Sequence, residues 1–204
     1  MIIRKSPAEI ELMREAGRIT ARALRLVGEA VVPGVTTAEL DDIAEACIRD
    51  AGAVPAFKGY HGFPGTICSS TNEQVVHGIP SRKHRLGEGD ILSVDVGAIV
   101  EGYYGDSAMT FPVGEVGAEV RRLLDVTRRS LEAGIEKARI DMRLSDVSHA
   151  VQTVAEAAGF SVVREYVGHG IGRQMHEEPQ IPNYGLPGKG PTLKEGMVFA
   201  IEPM

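Results

Sequence analysis

The second half of this 204-residue sequence repeats the first half at a fixed offset. Asp95 lies 107 residues before Glu202, and at this offset the stretch that begins at Leu86 aligns with the stretch that begins at Leu193. Leucine, glutamate and glycine recur at equivalent places, and an acid ends each apolar run. Because an internal repeat means that one structural unit is used twice, we expect two related halves.

Each half of the repeat begins with two amphipathic helical patterns. Thr36 and Glu39 have the spacing of a capping box before the second helix, and Ser145 starts the fourth. Gly52 and Gly159 are expected to end the second and fourth helices, as glycine often does. On the third helix the apolar periodicity predicts a buried stripe of Val120, Leu123, Leu124, Thr127, Leu131 and Ile135.

Short runs with β propensity follow the helices in each half. They cover residues 66–69, 90–96, 106–113, 160–167 and 197–201. Two helices followed by strands in each half predict an α+β fold, in which helices cover one face of a curved antiparallel sheet. No linker separates the halves, so we predict a single domain, 1–204, with pseudo-twofold-related halves at about 1–114 and 115–204.

Charge and composition narrow the classes of partner. The net charge is −6, and the basic patch from Arg82 to Arg85 is too short to form the broad basic face that binds nucleic acid. No apolar run approaches the length of a membrane span, and the start of the chain has no apolar signal region. Cys47 and Cys68 lack zinc-knuckle spacing. We therefore expect a cytoplasmic protein without nucleic-acid or membrane partners.

Two acids, Asp95 and Asp106, flank a short segment that we predict to form a β-hairpin. A turn at Val100–Gly102 would bring the two carboxylates about opposite each other, with Cβ atoms roughly 5 Å apart. Like charges at that distance repel, so either one acid is protonated or a cation lies between them. The alternative is that the acids face solvent at the end of the hairpin.

Further ligand-type residues favour the cation. The repeat places Glu202 at the position equivalent to Asp95, and a glycine-rich turn presents His169, with His176 seven residues later. Three carboxylates and one imidazole suit Mn, Fe, Co or Zn, and a pair of such ions favours hydrolysis. The alternative for His169 is a buried core histidine, although its small glycine neighbours leave space for a metal ion.

Several stretches together match one known family in order and spacing. They are residues 60–80, 89–95, 104–106, 168–172, 176–179 and 198–203. With them the sequence resembles the type I methionine aminopeptidases of metallopeptidase family M24. The resemblance implies the pita-bread fold and a hydrolase that removes the initiator methionine from nascent polypeptides by attack of a metal-bridging hydroxide. It also implies two divalent metal ions of undetermined identity (Co, Mn, Fe or Zn).

The resemblance assigns the metal ligands residue by residue. It implies that Asp95 chelates one ion, that Asp106 bridges both ions, and that His169 and Glu202 bind the second ion. Glu202 is also implied to shuttle a proton during hydrolysis. The family has a further bridging glutamate in a final strand, whereas this sequence ends two residues after Glu202. We therefore expect the 204-residue chain to lack that C-terminal strand, to bind metals weakly and to have low activity.

The resemblance also assigns the substrate site. It implies that His77 and His176 contact the substrate, one near the scissile amide and one near the developing oxyanion. Tyr60, Phe63 and Cys68 are implied to line the methionine pocket, beside a crowded wall that favours a small second residue. The sequence departs from the family pattern at two positions near this pocket, Met175 and Phe57.

Alternative functions remain at this stage. One is a non-catalytic pita-bread protein that binds peptides, because the lost carboxylate weakens the metal pair. Another is an exopeptidase acting beside proline, against which the residues of the methionine pocket argue. We expect a monomer, because nothing in the sequence indicates an obligate dimer. The resemblance implies work near the ribosome, although no segment of the sequence encodes such docking.

Overall fold

The computed structural model describes residues 1–204 and contains four α-helices. They are α1 (Pro7–Ala30), α2 (Thr37–Asp50), α3 (Ala118–Lys137) and α4 (Leu144–Ala157). The chain divides into two compact units. The first unit is Glu9–Ala118, and the second unit is Glu119–Met204 together with Met1–Ala8. The single domain stays a prediction, and the internal boundary lies at 118/119 where the sequence suggested about 114/115.

The first unit contains an antiparallel sheet built around one long strand. Its strands are β1 (Val54–Pro55), β2 (Ile67–Thr71), β3 (Ile91–Val100) and β4 (Tyr103–Pro112), and a 3-10 helix covers Tyr60–Gly62. β4 pairs along one edge of β3, while β1 and β2 pair along the other. Glu101 and Gly102 have φ of 48° and 83°, which is the conformation of a two-residue hairpin turn.

The core of the first unit lies between this sheet and the first two helices. Val94 and Val96 of β3 are fully buried, as are Val27 of α1 and Leu40 of α2. Alternation along β3 directs every second side chain into this core, and the apolar stripes of the helices cover it. Each such side chain contributes about 1.5–3 kcal/mol by leaving water.

The second unit contains a smaller antiparallel sheet. Its strands are β5 (Gly168–Gly170), β6 (Glu177–Ile181) and β7 (Phe199–Ala200), in the order β6-β5-β7. The strand predicted at 160–167 is wrong, because that segment is irregular and Val163 donates its N–H to the carbonyl of Met204. β6 was not predicted, since its glutamates and Pro179 are unfavourable in strands.

The buried stripe predicted for α3 is wrong at Leu123 and Ile135, whereas its other four members are partly buried. Leu123 and Ile135 are 37% and 54% exposed, and the buried residues of the helix are Val126, Ser130 and Gly134. A Cβ at Gly134 would lie 2.9 Å from Val151 Cγ2 of α4, so the two helices approach closely at this glycine. The contact face is therefore made partly of small residues, which a count of apolar side chains overlooks.

The repeat is visible in the backbone of each unit taken separately. α2 and α4 both have 14 residues, and both begin with an acid at the third helical position that accepts the main-chain N–H of the preceding cap. The first unit contains an isolated bridge between Thr36 and Arg85, and the second contains one between Arg143 and Thr192, at the same offset. None of the helices combines the length and apolar character needed to cross a membrane.

Candidate active site

Asp95 of β3 and Asp106 of β4 lie on the same face of their hairpin. The register pairs Asp95 with Ala108 and Asp106 with Gly97, so the acids are diagonal neighbours. The prediction that they lie directly opposite each other is wrong, because the tight turn pairs Val100 with Tyr103 and shifts the register by two residues. Diagonal neighbours are about 7–8 Å apart, a distance that long side chains and a shared cation can bridge.

The two faces of β3 have different environments. Val94 and Val96 point into the core of the first unit, whereas Asp95 between them is only partly buried. Because strand residues alternate between faces, the acids lie on the side away from that core. The part of β3 around Asp95 is therefore buried only on the face of Val94 and Val96.

Cys68 lies on the same face, directly opposite Asp95 in the ladder of β2 and β3. Burial, followed by the negative charges of Asp95, Asp106 and Asp41, raises the pKa of the Cys68 thiol to about 12, and the backbone of His77 offsets part of the rise. The thiol is therefore neutral at physiological pH. A neutral thiol is a poor metal ligand and a suitable wall for an apolar pocket.

Asp41 of α2 supports this face, and the sequence analysis did not identify it. Its Oδ1 accepts the main-chain N–H groups of Thr66 and Ile67 at 2.7 and 2.8 Å. Burial raises the pKa of Asp41, and these two hydrogen bonds oppose the rise. The carboxylate thereby fixes the start of β2 immediately before Cys68. No signal in the sequence distinguishes it from the neighbouring acids.

The other predicted substrate residues of the first unit lie in loops. Tyr60 and Phe63 are partly buried at the 3-10 turn, where the N–H of Phe63 donates to the carbonyl of Tyr60 at 2.9 Å. His77 follows β2, is exposed and has a φ of 61°. Its neighbour Gly78 accepts the N–H of Ser69 at 2.8 Å, which holds the loop against β2.

In the second unit, His169 and Glu202 face each other. His169 is 7% exposed, and its Nδ1 lies 2.9 Å from the carbonyl oxygen of Gly170. Since a carbonyl only accepts, Nδ1 carries the proton in the neutral ring, and Nε2 presents a lone pair. That Nε2 lies 3.1 Å from Glu202 Oε1, a buried oxygen with no hydrogen bond of acceptable geometry.

This arrangement fits a divalent metal ion. With Nδ1 turned to a carbonyl, Nε2 and the carboxylate oxygen lie 3.1 Å apart, a separation that either a proton on Nε2 or a cation bound by both atoms stabilises. A metal-binding histidine typically donates its other ring N–H to a carbonyl, as His169 does to Gly170. Carboxylates and imidazole without thiolate are ligands that suit Mn, Fe, Co or Zn.

His176 lies beside this pair in the second unit. Its side chain is exposed, and its ring centroid is 4.4 Å from that of His169. Both rings line a pocket of about 550 Å³, together with Ile3 and Gln180. Met175 is 4% exposed, so the departure from the family pattern at this position lies in the core.

The glycines around His169 have a structural cause. A Cβ at Gly168 would meet the carbonyl oxygen of Ala200 in β7, and a Cβ at Gly170 would meet that of Glu178 in β6. Close approach of both neighbouring strands therefore requires glycine on either side of His169. These strand contacts alone explain the two glycines, so the glycines are no evidence that space is kept for a metal ion.

Asn183 is a second supporting residue that the sequence analysis missed. It is 1% exposed, and its Nδ2 donates to the main-chain oxygen of Glu202 at 2.6 Å. Because β7 ends at Ala200, this bond holds the backbone beyond the strand, where Glu202 lies. Pairing of His169 with Ala200 fixes the other side of the site.

The predicted site residues are divided between the two units. The first unit contains Tyr60, Phe63, Cys68, His77, Asp95 and Asp106, and the second unit contains His169, His176 and Glu202.

The chain matches a known family over nearly its whole length. The profile of metallopeptidase family M24 matches residues 11–204. The methionine aminopeptidase of Clostridium acetobutylicum is 56% identical over 204 residues, which are 100% of this chain and 82% of that protein. Methionine aminopeptidase 1 of Bacillus subtilis is 55% identical, with the same coverage.

Solved structures show the same relationship. The methionine aminopeptidase of Thermotoga maritima superposes with a TM-score of 0.98 at 49% identity, covering 100% of this chain and 82% of that chain. A prolidase from Pyrococcus furiosus has a TM-score of 0.84 at 26% identity, covering 98% of this chain and 57% of that chain. These similarities confirm the α+β pita-bread fold.

The comparisons also discriminate between the alternatives. The relatives that match the full chain at high identity are aminopeptidases, which does not favour a non-catalytic peptide-binding protein. Similarity to the prolidase is much lower in sequence. The chain therefore belongs to metallopeptidase family M24 and, within it, to the methionine aminopeptidases, which are metal-dependent enzymes.

Proposed function

We propose that this chain removes the initiator methionine from nascent proteins with two divalent metal ions held by Asp95, Asp106, His169 and Glu202. One observation carries the proposal: His169 Nε2 faces Glu202 Oε1 at 3.1 Å while Nδ1 is turned to a carbonyl. Asp95 and Asp106 add two carboxylates from one face of a hairpin. This donor set suits Mn, Fe, Co or Zn.

The metal ions supply the central chemistry: when bound, they ionise a water molecule and polarise the scissile carbonyl. Asp95 would hold one ion, His169 and Glu202 would hold the other, and Asp106 would be a ligand of both. Glu202 is also proposed to shuttle a proton, because its half-buried side chain is next to an imidazole and its buried Oε1 has no hydrogen bond.

Two histidines are proposed to orient the peptide. His176 is exposed in the pocket beside His169, so its ring N–H can reach a substrate oxygen that becomes negative during hydrolysis. Such a donor typically lowers the barrier by about 2.7–4 kcal/mol. His77 is proposed to contact the substrate near the scissile amide, and its backbone already approaches Cys68.

Tyr60, Phe63 and Cys68 are proposed to hold the methionine side chain. The neutral thiol of Cys68 and two partly buried aromatic residues provide an apolar lining for an unbranched thioether. A crowded wall next to this lining would restrict the second residue of the substrate to a small side chain. Peptides beginning Met-Gly or Met-Ala are therefore the appropriate substrates.

The proposed setting follows from the same substrate. An enzyme that acts on emerging N-termini works in the cytoplasm, close to the ribosome, and we propose that it does so as a monomer. The net charge of −6 supports the absence of a nucleic-acid partner.

The test is release of free methionine from Met-Gly and Met-Ala peptides. Mn, Fe or Co is added in large excess. We expect release that requires added metal, stops with chelator and is absent for a peptide that begins with leucine. His169→Ala abolishes it, whereas His84→Ala, a change at an exposed histidine, does not. No release under any metal, with peptide still bound, would support the non-catalytic alternative.

A further inference from the structure

A nearly buried ion pair joins the start of the chain to the strand that follows His176. Lys5 Nζ lies 2.6 Å from Glu177 Oε2, and the two side chains are 4% and 5% exposed. Taking both charges out of water is costly unless their geometry is good and other hydrogen bonds support them. The contacts around the pair supply such support, and they lead to the candidate site.

On the lysine side, the pair anchors the extended segment before α1. The main-chain N–H of Lys5 donates to the carbonyl of Gly196 at 2.7 Å. Its ammonium group also lies 3.4 Å from the carbonyl oxygen of Ile3, a residue that lines the pocket with His169 and His176. Lys5 is therefore held at both its main chain and its side chain.

On the glutamate side, the pair anchors the loop that joins β5 to β6. Glu177 Oε1 accepts the N–H of Gln174 at 3.2 Å, and the carbonyl of Gln174 accepts the N–H of Gly172 at 3.1 Å. A Cβ at Gly172 would meet both Lys5 Cε and Glu177 Oε1. The loop is thus packed directly on the ion pair at Gly172.

His176 is the last residue of this loop and immediately precedes Glu177. Its side chain is exposed, and its ring centroid lies 4.4 Å from that of His169. The position of its backbone is set by its neighbours, of which Glu177 is fixed by Lys5. Displacement of Glu177 would therefore move the imidazole.

We propose that Lys5 is a positioning residue, which acts through Glu177 to hold His176 where it contacts the substrate. The inference rests on the proposed function for the role of His176. Its geometric part, the dependence of the His176 ring on Lys5, applies equally to the metal-free protein and is tested there first.

The first measurement is the set of histidine ring signals in carbon–proton NMR spectra of the metal-free chain at fixed pH. The chain has six histidines, so each ring signal is assignable by substitution. In Lys5→Met we expect the His176 signals to shift or broaden while those of His84 stay in place. Arg4→Met is the matched control, because Arg4 lies on the same segment but donates to the carbonyl of Glu195.

The second measurement is methionine release with saturating metal. For Lys5→Met we expect kcat to fall between about tenfold and a hundredfold, the scale of an ångström-sized misplacement, with KM nearly unchanged. Arg4→Met should retain both constants. Unchanged His176 signals and unchanged kcat in Lys5→Met would overturn the proposal. If the unaltered chain releases no methionine but Lys5→Met displaces the His176 signals, the geometric part of the proposal stands and the proposed function is refuted.

Lys5→Met destabilises the fold, since it leaves Glu177 as a buried charge without its partner. The double variant Lys5→Met/Glu177→Gln removes both charges at similar volume, which proteins often tolerate. In this variant we again expect displaced His176 signals and a lower kcat, because a neutral pair holds the loop less firmly. A folded double variant with the His176 signals of the unaltered chain would refute the role of the ion pair.

Discussion

Cys68 lies directly opposite Asp95 in the ladder of β2 and β3, so a buried thiol shares one face of the sheet with the acids of the candidate metal site. The carboxylates affect the thiol, and the thiol affects the metal site. The carboxylates oppose ionisation of the thiol, which keeps Cys68 neutral and apolar. A neutral thiol, in turn, leaves metal binding to oxygen and imidazole ligands.

The raised pKa of Cys68 predicts a pH dependence of stability. In the unfolded chain the thiol has its ordinary pKa of 9.0, whereas in the folded chain its pKa is raised to about 12. Between these values the folded state binds more protons, so its stability falls as the pH rises. We expect Cys68 to lower the free energy of unfolding by no more than about 1.4 kcal/mol for each pH unit in this range.

The measurement is denaturant unfolding of the metal-free chain, repeated at intervals of about one pH unit between roughly pH 8 and pH 11. Lysines and tyrosines titrate in the same range, so the comparison is with Cys68→Ala, in which the contribution of Cys68 should disappear. Cys47→Ala is the matched control, because Cys47 is also buried and free. An equal pH dependence of stability in Cys68→Ala and the unaltered chain would contradict the pKa assigned to Cys68.

Metal binding should raise the thermal stability through His169 and Glu202. A ligand that binds only the folded state stabilises it by about 2.7 kcal/mol at one hundred times its Kd. We expect Mn or Co to raise the Tm of the unaltered chain and of His84→Ala by more than that of His169→Ala or Glu202→Gln, which would keep only the ion held by Asp95 and Asp106. An equal metal-dependent rise in Tm in all four proteins would contradict the role of His169 and Glu202 as ligands.

Asp41 is expected to matter for stability although it lies outside the catalytic set. Asp41→Ala removes the acceptor of two buried main-chain N–H groups, those of Thr66 and Ile67, and should cost about 2–5 kcal/mol. Its neighbour Asp42 pairs only with exposed Arg82, so Asp42→Ala should cost less than about 1 kcal/mol. Urea unfolding of the two variants gives the comparison, and similar losses would refute the role given to Asp41.

The helices that flank the candidate site were predictable because their signals are local. The capping box of Thr36 and Glu39 and the glycine at position 52, with its φ of 75°, mark both ends of α2 within a few residues. The offset of the repeat then transfers these limits to α4. Likewise, the motifs that carry the family resemblance are contiguous in sequence, so they identified the candidate residues before any packing was known.

The remaining features depend on contacts between distant segments. The diagonal relation of Asp95 and Asp106 follows from a two-residue turn, and placing the turn one residue earlier would oppose them directly. The supporting roles of Asp41 and Asn183 arise only when main-chain groups far along the chain reach their side chains. The close contact at Gly134 likewise depends on α4, so its burial has no signature in the sequence of α3.

Asn183 should tune metal affinity through the backbone of Glu202. Asn183→Ala removes the bond of 2.6 Å to the main-chain oxygen of Glu202 and frees the segment after β7. Loss of such a supporting partner typically weakens metal binding by about 10–100-fold. Calorimetric titration with Mn or Co measures this, and the control is Asn72→Ala, whose side chain bonds Asp90 and Ile91 in an exposed turn. Equal metal affinity in the Asn183 variant and the unaltered chain would show that Glu202 is held without this bond.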